Sequence, residues 1–410
     1  MNIKDNIKIA SKDILAYKSR SILTVLGISI GIMAIILVMA LGDSAKKSIT
    51  KQIQTFGSTN VYVIPGKMSD AMSGSMGQDS LKLKDLEDLS KKSNVPNIDT
   101  IIPVISSGGN ASFESENFNV TIIGSTPDIF DLMQLKIEHG EGFYPEDING
   151  KNSILVIGSK VKEELFGESE AISRKIKIKE QYFKVVGVME PKGQMGGINY
   201  DNCVVLPYST LQQKILGIKY FQEFIVKIDH EDNIDVAVSD IESVLRLNHN
   251  IKDSSKDDFS IQTQEDILKS VNSILGVLTI LLSSVAAISL VVGGVGVMNM
   301  MLTSVTERTK EIGLRKALGA TNRHILTQFL TESILLTFWG GLFGMFFGFV
   351  LGYGLIVVFN ASSNFNFVFS FPFFGAFLGL LVSSAVGFTF GIYPAVQASK
   401  KSPMDALRYE

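Results

Sequence analysis

A chain of 410 residues with 46% hydrophobic side chains and a net charge of −3 has room for two or three domains and is too apolar for an ordinary water-soluble protein, so the membrane class is tested first. Its one cysteine, Cys203, excludes an internal disulfide. Its four histidines, His139, His230, His249 and His324, show no metal-ligand spacing, so no zinc site is expected.

In residues 1–21, Ile3, Ile7, Ala10 and Ile14 recur at helical spacing among Lys4, Lys8, Lys12, Lys18 and Arg20. This fits an amphipathic helix on the inner membrane face, and a lysine-rich solvated helix fits the same pattern. Ile22 to Leu41 is uncharged and about 20 residues long, enough to cross the ~30 Å hydrocarbon core. Residues 22–42 are therefore the first span. A cleaved signal peptide is the competing reading, and the apolar run exceeds the ~7–15 residues of a signal core.

Residues 43–270 have shorter apolar runs and read as one water-exposed α+β domain. Two βαβ-like units bracket it: strand 60–64, helix 83–93 and strand 99–106, then strand 223–228, helix 234–247 and strand 259–263. Between them, strands at 119–123, 153–157, 175–179 and 182–188 with a helix at 160–166 suggest a second lobe with an independent core. The loop 65–80, carrying Met68, Met72 and Met76, and the loop 191–199, carrying Gly193, Gly196 and Gly197, stand out by composition. Both read as ordinary exposed loops or as adaptable contacts for an apolar partner.

Residues 274–302 are apolar for 29 residues, roughly 43 Å as a helix, so the second span, 271–302, continues upward as a stalk. A charged segment follows at 303–325, with TERTKEIGLRKALGAT (306–321) at its centre. Glu307 precedes Lys310, and Glu311 precedes Arg315, by one turn in the stabilising order. Val305, Ile312, Ala317 and Leu318 supply an apolar side, and Gly319 a C-terminal stop, so a short amphipathic helix is expected. Taken alone, a charge run of this kind reads first as a solvated loop between spans.

The third span is 326–359 and the fourth 373–396, joined by an uncharged external loop at 360–372. Gly340, Gly344, Gly348 and Gly352 recur every fourth residue, Gly27 with Gly31, Gly375 with Gly379 and Gly387 with Gly391 repeat the theme, and Gly293, Gly294 and Gly296 leave a bare patch on the second span. Such stripes let helix backbones approach closely, either within one chain or between two copies. Glu332, the ionisable residue inside the last three spans, has a structural or a proton-coupling role, and Arg323 or interfacial water could satisfy it. The tail, 397–410, brings back Lys400, Lys401 and Arg408. Residues 43–270 hold 25 basic and 34 acidic side chains, a balance of −9, and the rest holds 13 and 7, a balance of +6. The positive-inside rule then puts both termini and 303–325 in the cytoplasm and 43–270 outside.

No phosphate-binding loop, HExxH, GxSxG or Cys-His arrangement occurs. The chain shows no energy source of its own, so mechanical or transport work requires a partner gripping the cytoplasmic segments.

The run GGVGVMNMMLTSVTERTKEIGLRKALGAT, Gly293 to Thr321, resembles the signature of the MacB-type, FtsX-like permeases of ATP-binding-cassette transporters. The resemblance extends to LTVLGISIGI (23–32), GSKVKEELFG (158–167), LPYSTLQQKILG (206–217) and YPAVQASKKSPMDALRYE (393–410). It implies a homodimeric subunit of four spans per chain in the bacterial cytoplasmic membrane. Its outer domain would have a porter-like part, about 43–118 and 220–264, and a sabre-like lobe, about 119–219. The resemblance further implies a coupling helix built from Glu307, Arg308, Thr309, Lys310, Glu311, Ile312, Gly313, Leu314 and Arg315, resting on a nucleotide-binding domain whose ATP-driven motion moves the outer domain. The chain begins at the membrane, unlike the macrolide exporter with its fused ATPase, so the ATPase is expected as a separate chain that binds ATP and Mg. No cofactor is expected in this chain itself. Further implied partners are a membrane-fusion or adaptor protein and membrane lipid, with no nucleic acid. Two functions compete: export of antimicrobial peptides, antibiotics or similar compounds, and activation of a cell-wall hydrolase as in the cell-division relatives of this fold.

Overall fold

The structure, a computed structural model, describes residues 18–56, 58–66, 80–195, 197–362 and 368–408. Residues 1–17 of the expected surface helix, most of the methionine loop (67–79), Gly196 and residues 363–367 of the expected external loop lie outside the described residues. The chain divides into two compact units, Ile49–Ser270, and Met1–Ser48 together with Val271–Glu410.

The first helix, α1 (Lys18–Phe56), runs from one unit into the other. In the outer unit, β1 (Asn60–Pro65), β2 (Leu81–Lys82), α2 (Leu83–Leu89), β3 (Ile98–Phe113), β4 (Glu116–Ser125) and α3 (Asp128–Leu132) come first. Then follow β5 (Ile137–Gly140), α4 (Pro145–Gly150), β6 (Ile154–Ile157), α5 (Ser159–Phe166), β7 (Lys175–Ile178) and β8 (Gln181–Met189). The last are β9 (Gln194–Met195), β10 (Ile198–Asn199), β11 (Cys203–Pro207), α6 (Tyr208–Thr210), β12 (Tyr220–Phe221), β13 (Glu223–Ile228), α7 (Ile234–Asn248) and β14 (Phe259–Thr263).

The two βαβ units interleave. Strand order runs β14-β1-β13-β3, and each neighbouring pair is antiparallel. Each unit's two strands are therefore parallel and separated by one strand of the other unit, the split βαβ arrangement of ferredoxin-like sheets. Alternation along β1 and β13 turns Val61, Val63, Phe224 and Val226 into the core beneath α2 and α7, while Tyr62, Glu223 and Ile225 point to the other face.

The expected second lobe is not independent. Strand β3 is 16 residues long: Ile98 to Val104 pair with β13, and Ile105 to Phe113 pair with β4. Beyond β4 the same sheet continues through β11, β6, β8 and β5, with β7 joining β3 to β8. One apolar cluster accordingly contains Val63 and Phe224 together with Leu155, Ile176 and Phe183. The expected strand 99–106 runs on through SSGGN at 106–110, whose backbone is held by the ladder to β4. At Gly109 the absent side chain leaves room for Ile122, which an added Cβ would meet at 2.6 Å.

In the membrane unit, α8 (Gln264–Glu307), α9 (Thr309–Ala317), α10 (Asn322–Ser362), α11 (Phe373–Lys400) and α12 (Pro403–Arg408) follow. Among the described residues, four helices, including part of α1, are long and apolar enough to cross a membrane. Each exceeds its expected span: α8 has 44 residues, roughly 66 Å, and α10 has 41. The glycine stripes are filled within the chain. Ile28, Ile32 and Ile36, all fully buried, recur every fourth residue on α1 and sit against Gly340, Gly344 and Gly348 of α10. A Cβ added at Gly344 would lie 2.6 Å from the Ser29 carbonyl oxygen. Gly293 approaches Ile28, Gly27 comes against Gly293, Gly31 against Leu290, Gly294 against Phe390 and Gly352 toward Leu37. Gly379 meets Ile32, Gly375 meets Met39, and Gly387 and Gly391 accept Thr337 and Ser333 of α10. Outside this core, Ile280, Ile288 and Val292 of α8 are about two-thirds exposed, which costs nothing where lipid replaces water.

Candidate functional site

The charged segment is not one helix. Helix α8 carries its first five residues, to Glu307; Arg308, at φ −99° and ψ 15°, interrupts the run, α9 begins at Thr309, and residues 322–325 already belong to α10. The Thr309 hydroxyl donates to the carbonyls of Val305 and Thr306, each at 2.9 Å, and fastens the start of α9 to the end of α8. At the other end Gly319, with φ +98°, lets its amide reach the Lys316 carbonyl and the Ala320 amide reach the Arg315 carbonyl. That pair of bonds is a Schellman stop. Glu311 in the first turn and Arg315 and Lys316 in the last suit the helix dipole.

The apolar side of α9 differs from the expected one. Val305 and Ile312 are buried, but Ala317 is exposed and Leu318 is 82% exposed. Six residues separate Ile312 from Leu318, roughly 240° around a helix, so the two cannot share a face. Thr309, Ile312 and Gly313 face inward, while Lys310, Glu311, Leu314 and Leu318 face outward. Glu307 is exposed at the end of α8, across the break from Lys310. The Glu311–Arg315 pair forms as the spacing predicts.

Polar and packing contacts hold α9, with Arg308 just before it, to the rest of its unit. Arg308 Nη1 lies 3.6 Å from Glu332 Oε2 of α10, and Arg315 Nη1 donates to Gln328 Oε1 at 2.6 Å. Lys316 Nζ donates to the carbonyls of Ser399 and Lys401, at 2.5 and 2.8 Å, at the end of α11. Gly313 packs on α12 so closely that an added Cβ would lie 2.6 Å from Ala406 Cβ. Arg308 thus faces Glu332, where the sequence suggested Arg323 or interfacial water; Arg323 lies nine residues back on α10, roughly 13 Å along its axis, and is exposed. Gln328, Lys316 and Ala406 were not singled out from the sequence. Gln328 and Glu332, four apart in an apolar run, carried the signal, because that spacing puts two polar groups on one helix face.

The outer unit contains a second polar cluster. His249, after α7, places Nδ1 2.6 Å from Asp258 Oδ1 and Nε2 3.2 Å from Asp85 Oδ2. Asp85 also accepts from Asn248 Nδ2 and the Lys82 amide, at 2.9 and 2.8 Å, and the Gly66 amide donates to the Asp258 carbonyl. The bond to Asp85 raises the His249 imidazole above its usual range; burial opposes this, and the bond to Asp258 adds to it. Burial pushes the Asp85 carboxyl up, but the bonds from His249, Lys82 and Asn248 outweigh it and leave it lowered. On the opposite sheet face burial pushes the Glu223 carboxyl up to about 7. Among the described residues no group of three or more His, Cys, Asp or Glu side chains is arranged to hold a metal ion.

Comparison with known proteins agrees with this architecture. Residues 21–244 match the family model of the MacB-like periplasmic core domain, and residues 271–403 that of the FtsX-like permease C-terminal region. The chain is 36% identical over 398 residues to the macrolide export ATP-binding/permease protein MacB of Bdellovibrio bacteriovorus, covering 96% of this chain and 60% of that protein. It thus spans about 60% of the length of the MacB relatives it matches. An uncharacterized ABC transporter permease of Bacillus subtilis, YknZ, is 32% identical over the full length of both chains. Among solved structures, the periplasmic region of MacB from Actinobacillus actinomycetemcomitans aligns at 24% identity with a TM-score of 0.46, covering 54% of this chain and 95% of that one. Two family models that together take in both units, and a relative matched from end to end, establish that this chain belongs to the MacB-like, FtsX-like family of ABC transporter permeases.

Proposed function

We propose that this permease transmits ATP-driven motion of a separate ATPase subunit to its outer unit, for export of antimicrobial peptides, antibiotics or similar compounds. The observation that carries the reading is α9: an exposed stripe of Lys310, Glu311, Leu314 and Leu318 on a helix anchored on its other side to α10, α11 and α12. An exposed apolar pair ringed by charge is a surface for a protein partner. Within the nine residues expected for coupling, Lys310, Glu311 and Leu314 make the contact, with Glu307 at its edge. Arg308, Thr309, Ile312, Gly313 and Arg315 hold the helix in place.

ATP and Mg belong to the ATPase in this reading, and α9 and both termini face the cytoplasm, as the charge partition supports. Two copies of the permease work together, through surfaces other than the glycine stripes, and an adaptor protein receives the exported compound. Export is supported by the name of the MacB relatives, and a separate ATPase by the end-to-end match to a permease chain.

The test is Leu314→Asp with Leu318→Asp in the full chain. Both side chains are exposed, so the fold is expected to hold within ~0.5 kcal/mol, while recovery of the ATPase with the permease from detergent falls at least about tenfold. Unchanged recovery would sink the reading. Stimulation of ATP hydrolysis in the reconstituted complex, measured across candidate compounds, then identifies the substrate class.

A further inference from the structure

Two helices, α1 and α8, pass between the membrane unit and the residues of the outer unit. Of the two, only α8 is joined to α9 by the chain. Motion applied to α9 has a direct route into α8 through the fastening of Thr309 on Val305 and Thr306. Helix α1 is not a chain neighbour of α9, yet it belongs to the same core; α10, which is joined to α9 by residues 318–321, lies on the path between them.

We propose that the Arg308–Glu332 ion pair, seconded by Arg315–Gln328, is a tie that carries motion from α9 into α10 and thence into α1, so that both helices entering the outer unit are driven together. The inference rests on α9 being the surface the ATPase grips. Arg308 is the break residue between α8 and α9, and its guanidinium reaches across to α10. The side chains are 11% and 3% exposed, so water does not screen the attraction. Gln328 lies one turn before Glu332, and Arg315 two turns after Arg308, so one hydrogen bond and one ion pair, whose 3.6 Å separation is beyond hydrogen-bond distance, tie α9 to α10 at two points. From there the glycine stripe of α10 is seated on α1: Gly340 against Ile28, Gly344 against Ser29 and Ile32, Gly348 against Ile36. The Ser29 hydroxyl adds a 2.9 Å bond to the Gly340 carbonyl. Backbones this close cannot slide past one another without collision, so α1 follows α10 as a body. In this arrangement Arg308 and Glu332 are positioning residues: they touch neither ATP nor substrate.

The test uses the full permease with its ATPase in lipid nanodiscs, with a spin label at Lys46→Cys on α1 or at Lys269→Cys on α8. Displacement at each site is read as the change in label distance on adding ATP. Replacing the pair by Arg308→Met with Glu332→Leu keeps the volume and removes the charges, an exchange that buried pairs commonly tolerate. The expected result is unchanged ATPase recovery, displacement at position 46 reduced about fivefold or more, and displacement at position 269 largely kept. The reversed pair, Arg308→Glu with Glu332→Arg, restores motion at position 46, which a role in fold stability alone does not predict. The milder Glu332→Gln gives an intermediate loss. Wild-type displacement at position 46 in the apolar variant overturns the proposal. So does an equal loss at both positions, and so does loss of ATPase recovery, because the pair would then be shaping the docking surface. Failure of the underlying reading shows elsewhere: Leu314→Asp with Leu318→Asp would leave ATPase recovery intact.

Discussion

The two units solve the same packing problem with opposite materials. In the outer unit the fully buried side chains are large: Phe183, Phe221 and Phe224 lie with β-branched residues from both ends of the insert. In the membrane unit many of the large side chains point outward, Phe346, Phe347 and Phe373 among them, and although Phe329 and Leu336 are buried, many interior contacts set a glycine directly against a neighbouring helix. In water, removing apolar area from solvent stabilises the fold, so bulk is collected inside. In lipid, that term vanishes between helices and close approach of backbones takes its place, so bulk is displaced outward.

The largest expected effect comes from filling a contact of the membrane type. Gly344→Leu would drive its side chain into the Ser29 carbonyl, and because the obstacle is backbone the cost exceeds the ~1–3 kcal/mol of ordinary overpacking. No monodisperse protein should survive size-exclusion chromatography in detergent. Gly276→Leu, with nothing within 4 Å of its Cβ position, should behave as wild type, and equal effects at the two glycines would break the comparison. Next is emptying a contact of the outer type: Phe224→Ala, at a fully buried position, should cost about 3–5 kcal/mol, read as faster hydrogen exchange in β1 and β13 with the membrane helices unaffected.

The smallest effect is electrostatic and again belongs to the outer unit. The folded His249 imidazole lies above its unfolded value of about 6.5, so its contribution is complete below that pH and is lost as pH rises through the folded value. Glu223 acts in the same direction: raised to about 7 from an unfolded value near ~4.3, it leaves the folded state progressively less favoured as pH climbs between the two. Asp85 is lowered, so its contribution is present above its unfolded value, about 3.9, and is lost as pH falls through the folded one. The outer unit should therefore be most stable near about pH 5 and lose roughly 1–3 kcal/mol by pH 8, after allowance for solvent screening. Hydrogen exchange at β13 and α7 in the full chain checks this, and His249→Gln with Glu223→Gln should flatten the profile. A flat wild-type profile would show that neither group is coupled to folding.

Much of this molecule was written in local pattern. Uncharged runs of membrane length mark the four spans, since the bilayer sets a length and a polarity that any spanning helix must meet. The alternation and spacing at 60–64, 223–228 and 259–263 mark the strands of the interleaved βαβ units, and Gly319 marks the end of α9 because it takes a left-handed conformation that other residues avoid. Each of these is a property of a few consecutive residues. What only the tertiary structure decided involves residues far apart in the chain. The isoleucine stripe of α1 fills the glycine stripe of α10 across some 311 positions of sequence, as Ser29 and Gly340 do. Leu318 faces outward, Glu332 pairs with Arg308, and β3 extends through SSGGN to join what read as a separate lobe. Periodicity shows that a helix has two faces or a strand two edges, but which face meets which partner depends on how the chain returns on itself, and that is settled by the packing of the whole unit.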